Sequence, residues 1–421
     1  MVYVISLFSF IYRANNKLKG AMYISLHYLR GDGGMKRSPW GMLLLLMVNA
    51  LMSTCSLQSD EALDIIYIRM DGSIDPPEAP ILNVGNFTYV FTGNIHYPIV
   101  VERDNIVING AGYVVEGTEN QLAKGIDLSG RRNVTVRNVK IRKFEYGIWL
   151  EDSLNIHIYS NDVSNNRYGI VLWDSSNIRM YENNVVANRL YGVILHWSSN
   201  NTLRHNNIAE NRYNFGVWGA ELSDFINDID ASNTVDGKPV YYWINKQDRN
   251  VPIDAGYLAL INCTRITIQN LNLAKNGQGI LLVFTTNSTI TGNIIKDNDY
   301  GIWIHNSSKN SIHHNVFVDN TEQVRSKNST NAWDAGYPSG GNYWSDYSGV
   351  DLCHGSGQNV FGGDGLGDTP YFIDVNNQDR YPLVEISASP YWWLIFLTVA
   401  VVIGLEATII LVIRKRKSKS L

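Results

Sequence analysis

Residues 147–168 read "GIWLEDSLNIHIYSNDVSNNRY", and residues 169–191 follow at once with "GIVLWDSSNIRMYENNVVANRLY". The chain restarts on Gly-Ile after 22 residues and repeats the same order of apolar and polar positions. Gly-apolar starts recur at Gly125, Gly147, Gly169, Gly192, Gly279 and Gly301, spaced 22 or 23 residues wherever neighbours are clear. Gly216 and Gly256 are read as further, less regular starts. Each unit holds three short bursts of alternating apolar residues separated by Asn-rich turns, which is the period of strands and not of a helix. Three such strands cannot bury themselves. Stacked on the next unit they can, with like residues in ladders about 4.8 Å apart. The expected fold is all-β, a right-handed single-stranded parallel β-helix of about ten coils over residues 101–327.

Inward positions follow from the alternation: Ile148, Leu150, Ile156, Ile158 and Val163, with Ile170, Leu172, Ile178, Met180 and Val185 on the next coil. Asn155, Asn177 and Asn200 fall in one column, and Asn161, Asn183 and Asn206 in another, where left-handed turns and bonds between copies are expected. Composition agrees, with 35 Gly and only 18% charged residues. A net charge of −4 offers no basic face, which argues against a nucleic-acid partner.

The period is lacking before residue 100, so residues 60–100 are read as an N-terminal cap that covers a bare strand edge. It breaks again at residues 219–255, read as a lateral insertion, and residues 328–384 form a Gly-, Asp- and aromatic-rich C-terminal section. The ends carry export signals. From Met35, "MKRSPWGMLLLLMVNALMSTCS" runs basic, apolar, small, as in a signal peptide over residues 35–59, and residues 1–34 are read as a misassigned extension. Residues 391–413 form an apolar run of membrane-spanning length with Glu406 inside it, and the basic tail at 414–421 sets the cytoplasmic side. Localisation is then the cell membrane, single-pass, with the bulk of the chain outside. Seven sequons, at Asn86, Asn133, Asn200, Asn262, Asn287, Asn306 and Asn328, agree with an exported, glycosylated chain. Cys263 and Cys353 leave pairing open.

The blocks "IVVERDNIVINGAGY", "NTVDGKPVYYW", "GNYWSDYSGVD" and "GDGLGDTPYFIDVNNQDRYPL" resemble the NosD-like family of surface and periplasmic β-helix proteins, of the carbohydrate-binding and sugar-hydrolase repeat class. The resemblance implies the solenoid fold and carbohydrate as one ligand class. It also brings copper into view, because the family is named for a periplasmic copper-site maturation protein. The residues themselves give copper little support. His196 and His305 share a column but are expected five coils apart, and His313 and His314, adjacent on a strand, are expected on opposite faces. No resident cofactor is therefore expected, with calcium at Asp364 and Asp368 the metal alternative.

The outward position two residues after each glycine reads Trp149, Val171, Ile194, Trp218, Leu281 and Trp303, with Glu151, Asp152, Trp173, Asp174, His196 and Trp197 beside it. An apolar stripe facing water calls for a partner. Aromatic faces flanked by acids suit sugar rings, so Trp149, Trp173, His196, Trp197, Trp218 and Trp303 are the candidate ligand-binding set. Burial of the stripe under the 219–255 insertion or another subunit is the competing reading. Glu151, Asp152 and Asp174 would serve a hydrolase or lyase, the two aspartates at the spacing of a retaining pair. The expectation is a membrane-anchored surface protein that binds polysaccharide or a glycoprotein of the envelope without chemistry, a polysaccharide-acting enzyme or a copper-binding maturation factor being the alternatives.

Overall fold

The structure, a computed structural model, describes residues 65–119 and 122–385. The proposed signal peptide and the apolar run with Glu406 lie outside the described residues. Among the described residues no helix is long and apolar enough to cross a membrane. The fold is a parallel β-solenoid, and among the described residues its one short helical turn is Leu222–Phe225.

The solenoid consists of two stacks. In the N-terminal stack the strands Tyr146–Glu151, Tyr168–Trp173, Tyr191–His196 and Tyr213–Trp218 pair in parallel register along one face. Two further faces carry shorter strands such as His157–Tyr159 and Asp162–Ser164. The expected inward residues from Ile148 to Val185 are fully buried. Each buried Ile, Leu or Val contributes roughly 1.5–3 kcal/mol by leaving water. At the first edge, Ile81–Val84 and Thr88–Phe91 form an antiparallel hairpin that pairs onto the next coil through Val107–Asn109.

The glycines mark the corner where coils approach most closely. A Cβ on Gly169 would lie 2.4 Å from the carbonyl oxygen of Gly192 and 2.6 Å from Val185 Cγ1. The same corner holds a buried amide ladder: Asn166 Nδ2 donates to Asn188 Oδ1 at 3.2 Å, and Asn188 Nδ2 to Asn211 Oδ1 at 2.9 Å. A second ladder joins Asn161, Asn183, Asn206 and Asn233 at 2.8–3.0 Å. Each amide also donates to the preceding coil's backbone, as Asn183 Nδ2 does to Ile158 O at 2.8 Å. These amides are satisfied within the interior, so burying them costs little. The other column, Asn155, Asn177 and Asn200, takes the left-handed turns, with φ of 56°, 56° and 57°.

Residues 219–255 depart from the expected lateral insertion. Asp228–Ile229 and Thr234–Val235 stack on Thr202–Arg204 and Asn207–Ala209, completing the last coil. Asp236 and Gly237, with φ of 47° and 77°, then turn the chain into Lys238–Ile244, which pairs antiparallel to Thr234–Val235. This is a two-residue hairpin loop with positive φ at both positions, the geometry Asp-Gly favours. Lys238–Ile244 founds the C-terminal stack, carrying Tyr257–Ile261, Gln278–Val283, Tyr300–His305 and Glu322–Lys327 in parallel.

That new sheet is buried on both sides. Leu258, Leu260, Ile280, Leu282, Ile302 and Ile304 fill the C-terminal core. Tyr257, Ala259, Ile261, Leu281, Val283 and Trp303 join Phe215, Val217 and Phe225 in the core of the first stack. The outer face of the second stack thus closes the open end of the first. At the far edge, residues 328–384 finish the second stack's ladders: Asn377 Oδ1 accepts from Asn331 N at 2.9 Å and Trp333 Nε1 at 3.1 Å, while Asp379 Oδ2 accepts from Asn342 N at 2.6 Å and Trp344 Nε1 at 3.0 Å.

Candidate functional site

Strand register assembles the first face of the N-terminal stack into three outward columns. One is Tyr146, Tyr168, Tyr191 and Tyr213; the next is Trp149, Val171, Ile194 and Gly216; the third is Glu151, Trp173, His196 and Trp218. Trp218 is therefore out of the expected column. Asn214, not Gly216, takes the corner position below Gly192, which shifts the strand by two residues relative to the sequence reading. Gly216 has a different task. A Cβ there would lie 2.2 Å from Trp218 Cη2, because the indole folds back across it. Gly256 is out of register as well, since Tyr257 precedes Leu258, the partner of Ile280.

The columns form a cleft of about 410 Å³ lined by Tyr146, Trp149, Tyr168, Trp173, Tyr191 and Trp218, with Val171, Ile194 and His196 between them and Asp299, Tyr300 and Arg325 of the second stack at one end. The Tyr146 and Tyr168 rings stack at 5.0 Å and 15°, and those of Tyr168 and Tyr191 at 6.1 Å and 4°. Trp149 and Trp173 lie 6.4 Å apart at 25°, and Trp149 Nε1 donates to Glu151 Oε2 at 3.3 Å. His196 stacks on Trp173 at 4.1 Å and 4°. Burial pushes the His196 imidazole down to about 4, so it is neutral over most of the pH range. Cations flank the cleft: Lys124 Nζ sits 5.0 Å from the Trp149 ring, and the Arg325 guanidinium 4.5 Å from that of Tyr300.

The remaining predicted residues are placed elsewhere. Asp152, Asp174 and Trp197 occupy successive left-handed corners, φ 52°, 46° and 49°, and are exposed outside the cleft lining. Trp197 meets Trp173 edge-on at 5.2 Å from the corner side. Trp303 is 7% exposed, packed against Phe225 and Trp218 where the stacks meet. The stripe is thus covered at Trp303, by Trp218 of the first stack and the Leu222–Phe225 turn. His305 belongs to the same junction, its Nε2 2.8 Å from Ala220 O, so the expected separation from His196 along one continuous stack does not apply.

Asp364 and Asp368 hold backbone. Asp368 accepts from Leu352 N and Cys353 N, both at 3.0 Å, and Asp364 from Leu366 N at 3.1 Å. Among the described residues no group of three or more His, Cys, Asp or Glu side chains is arranged to hold a metal ion. One imidazole pair does converge, against expectation: His313 Nδ1 and His314 Nδ1 are 3.1 Å apart. His314 has φ of 57°, so the strand has already turned and the alternation of faces no longer holds. Cys263 and Cys353 are both free. All seven sequon asparagines have left-handed φ, between 49° and 62°. The corner therefore favours Asn at these seven positions.

Sequence reasoning missed the tyrosine column, although its signal is plain: "YG" or "YN" opens five of the units, at Tyr146, Tyr168, Tyr191, Tyr213 and Tyr300. It also missed Asp299 and Arg325, which only the packing of the two stacks brings to the cleft.

A parallel β-solenoid with a lateral aromatic cleft is the class these features define. The family profile described as periplasmic copper-binding protein (NosD) matches residues 94–251 and 247–349, and the chain belongs to that family. No curated protein sequence matches the chain. Among solved structures, the A-module of a mannuronan C-5 epimerase from Azotobacter vinelandii is 14% identical with a TM-score of 0.27, covering 58% of this chain and 76% of that one. A Streptococcus pneumoniae surface protein and adhesin is 13% identical with a TM-score of 0.27, covering 54% and 68%. The catalytic unit of a GH87 α-1,3-glucanase from Streptomyces thermodiastaticus is 12% identical with a TM-score of 0.32, covering 77% and 65%.

Proposed function

We propose that the aromatic cleft binds a polysaccharide or the glycan of an envelope glycoprotein, without chemistry, in a chain held at the cell surface by its C-terminal apolar run. The observation that carries this reading is the cleft's lining: two columns of rings, at the spacing of successive coils, over an apolar floor of Val171 and Ile194. Sugar rings have an apolar face and a hydroxyl rim, and this cleft offers ring faces with Glu151, Asp299 and Arg325 at its margins. A catalytic reading has less support, because Asp152 and Asp174 stand on the corner outside the cleft. Binding of the full chain to a glycan array, with Trp149→Ala and Trp173→Ala compared, is the test. The reading predicts at least tenfold weaker binding in each variant. No binding by the wild type, or release of new sugar ends, would overturn it.

A further inference from the structure

The second face of the N-terminal stack carries His157–Tyr159, Arg179–Tyr181 and Thr202–Arg204, paired in parallel. Register puts His157, Arg179 and Thr202 in one outward column, and the left-handed corner before them puts Asn155, Asn177 and Asn200 in another. These six side chains line a groove of about 400 Å³. At Asn200 the groove meets a second hollow of about 420 Å³, lined by Ile226, Tyr242 and Ile244 where the stacks join, with Asp228 and Lys246 beside them. Neighbouring polar groups on this face are paired: Arg204 holds Asp228 and Asp230, and Arg137 donates to the Tyr159 hydroxyl at 3.1 Å. Along the groove the pairing stops. Among the described residues, the side chains of His157, Asn177, Arg179, Asn200, Thr202 and Lys246 make no hydrogen bond or ion pair.

A guanidinium and an ammonium, with carboxamide, hydroxyl and imidazole donors between them, form a donor set for an extended anion. The carboxylate of Asp228 does not oppose it, because Arg204 already holds that charge. Arg179 stands two coils, about 10 Å, before Asp228, so the two cations face successive parts of a chain laid along the groove. We infer that this groove binds a segment of an acidic polysaccharide, with sugar carboxylate or sulfate groups on Arg179 and Lys246 and ring hydroxyls on Asn177, Asn200 and Thr202. The planar fork of Arg179 matches either oxyacid with two parallel N–H···O bonds. Carboxamides and a hydroxyl both donate and accept, as sugar hydroxyls do. Burial and Arg179 hold His157 below the usual imidazole range, so it enters as a neutral donor and acceptor. Nucleic acid fits less well: Tyr242, the one aromatic ring of phenol or indole type in the lining, is 6% exposed and offers bases no platform. The site lies on a different face from the aromatic cleft and does not depend on the cleft's ligand.

The test is titration calorimetry of the full chain with an oligogalacturonate and, separately, a dextran sulfate, against neutral dextran. The chain is made without N-glycosylation, because Asn200 lies in a sequon. Binding of at least one acidic probe is expected, weakening as salt rises, with none of the neutral dextran. Which acidic probe binds tells carboxylate from sulfate. Arg179→Gln and Lys246→Gln should each weaken binding about tenfold. Asn177→Asp, which sets a like charge in the groove, should abolish it, while Lys309→Gln on the second stack leaves it unchanged. Should Asn177→Asp fold poorly, the two Gln variants decide, since both side chains are exposed. Undiminished binding in both Gln variants, no binding of either acidic probe, or tighter binding of single-stranded DNA overturns the inference. A loss in Trp149→Ala as large as in Arg179→Gln would place the sugar in the aromatic cleft and overturn it too.

Discussion

The Tyr191 hydroxyl, on the N-terminal stack, donates a 2.5 Å hydrogen bond to Asp299 Oδ2 on the C-terminal stack, 108 residues later. It joins a wall of the cleft to the end that closes it. Burial and the Asp299 carboxylate push the phenol far above its usual range, so the donor keeps its proton.

A double-mutant cycle with Tyr191→Phe and Asp299→Asn should therefore give a coupling of about 1–2 kcal/mol in chemical denaturation, since a charged acceptor strengthens the bond and partial exposure weakens it. Additive losses would show that the two stacks are held at this point by ring packing alone.

Asn183→Ala removes a middle rung of a buried ladder. Asn161 then loses its acceptor for both N–H and side-chain amide, Ile158 O loses the side-chain donor, and Asn206 Oδ1 keeps only the Asn183 backbone N–H. At about 1–3 kcal/mol for each buried group left unpaired, partly relieved by relaxation, a loss of at least about 3 kcal/mol is expected. A shift in urea midpoint worth less than about 1 kcal/mol would mean that water enters the corner.

Two alanine substitutions separate rigid from yielding contacts. In Gly169→Ala the new methyl meets the Gly192 carbonyl of the next coil, which cannot move without breaking the stack, so more than about 3 kcal/mol should be lost. In Gly216→Ala the nearest atoms it meets are those of the far edge of the Trp218 indole. That ring can swing away, so the loss should be about 1–2 kcal/mol, accompanied by a change in tryptophan fluorescence. Equal losses would contradict the assignment.

His196 makes stability depend on pH. The unfolded imidazole takes up its proton near 6.5, whereas the folded one resists until about 4. Between those values the unfolded state binds more protons, so stability falls as pH drops through the window and is fully present above it. The melting temperature of His196→Gln should fall less than that of the wild type between pH 7 and pH 4. Parallel curves would mean that the ring is hydrated in the folded chain.

The repeat made the coil legible because strand alternation and the glycine corner each leave a fixed spacing. Asn214 and Gly216 show where that logic stops. Asn214 does the corner's work without being glycine, so the register slipped by two residues and took Trp218 with it. The reversal at Asp236–Gly237 had a local signal, an Asp-Gly turn between Val235 and Lys238. The cleft was legible only on its own face. Asp299, Tyr300 and Arg325 reach it because a face of the second stack packs across the end of the first, and no periodicity within either stack encodes that contact.

The amide ladders have a polarity. One side-chain N–H of each rung points toward the next coil, and two of the lines end on a receiver that need not pass a hydrogen onward: Asp236 accepts from Asn214 Nδ2 at 3.0 Å, and Asp379 from Asn342 Nδ2 at 3.4 Å. A whole unit added or removed between Asn166 and Asn211 would leave both the opening and the terminating residue of the line to Asp236 intact. Half a unit would set donor against donor. Growth of this chain is therefore quantised, with Asp236 and Asp379 as stop codons written in hydrogen bonds.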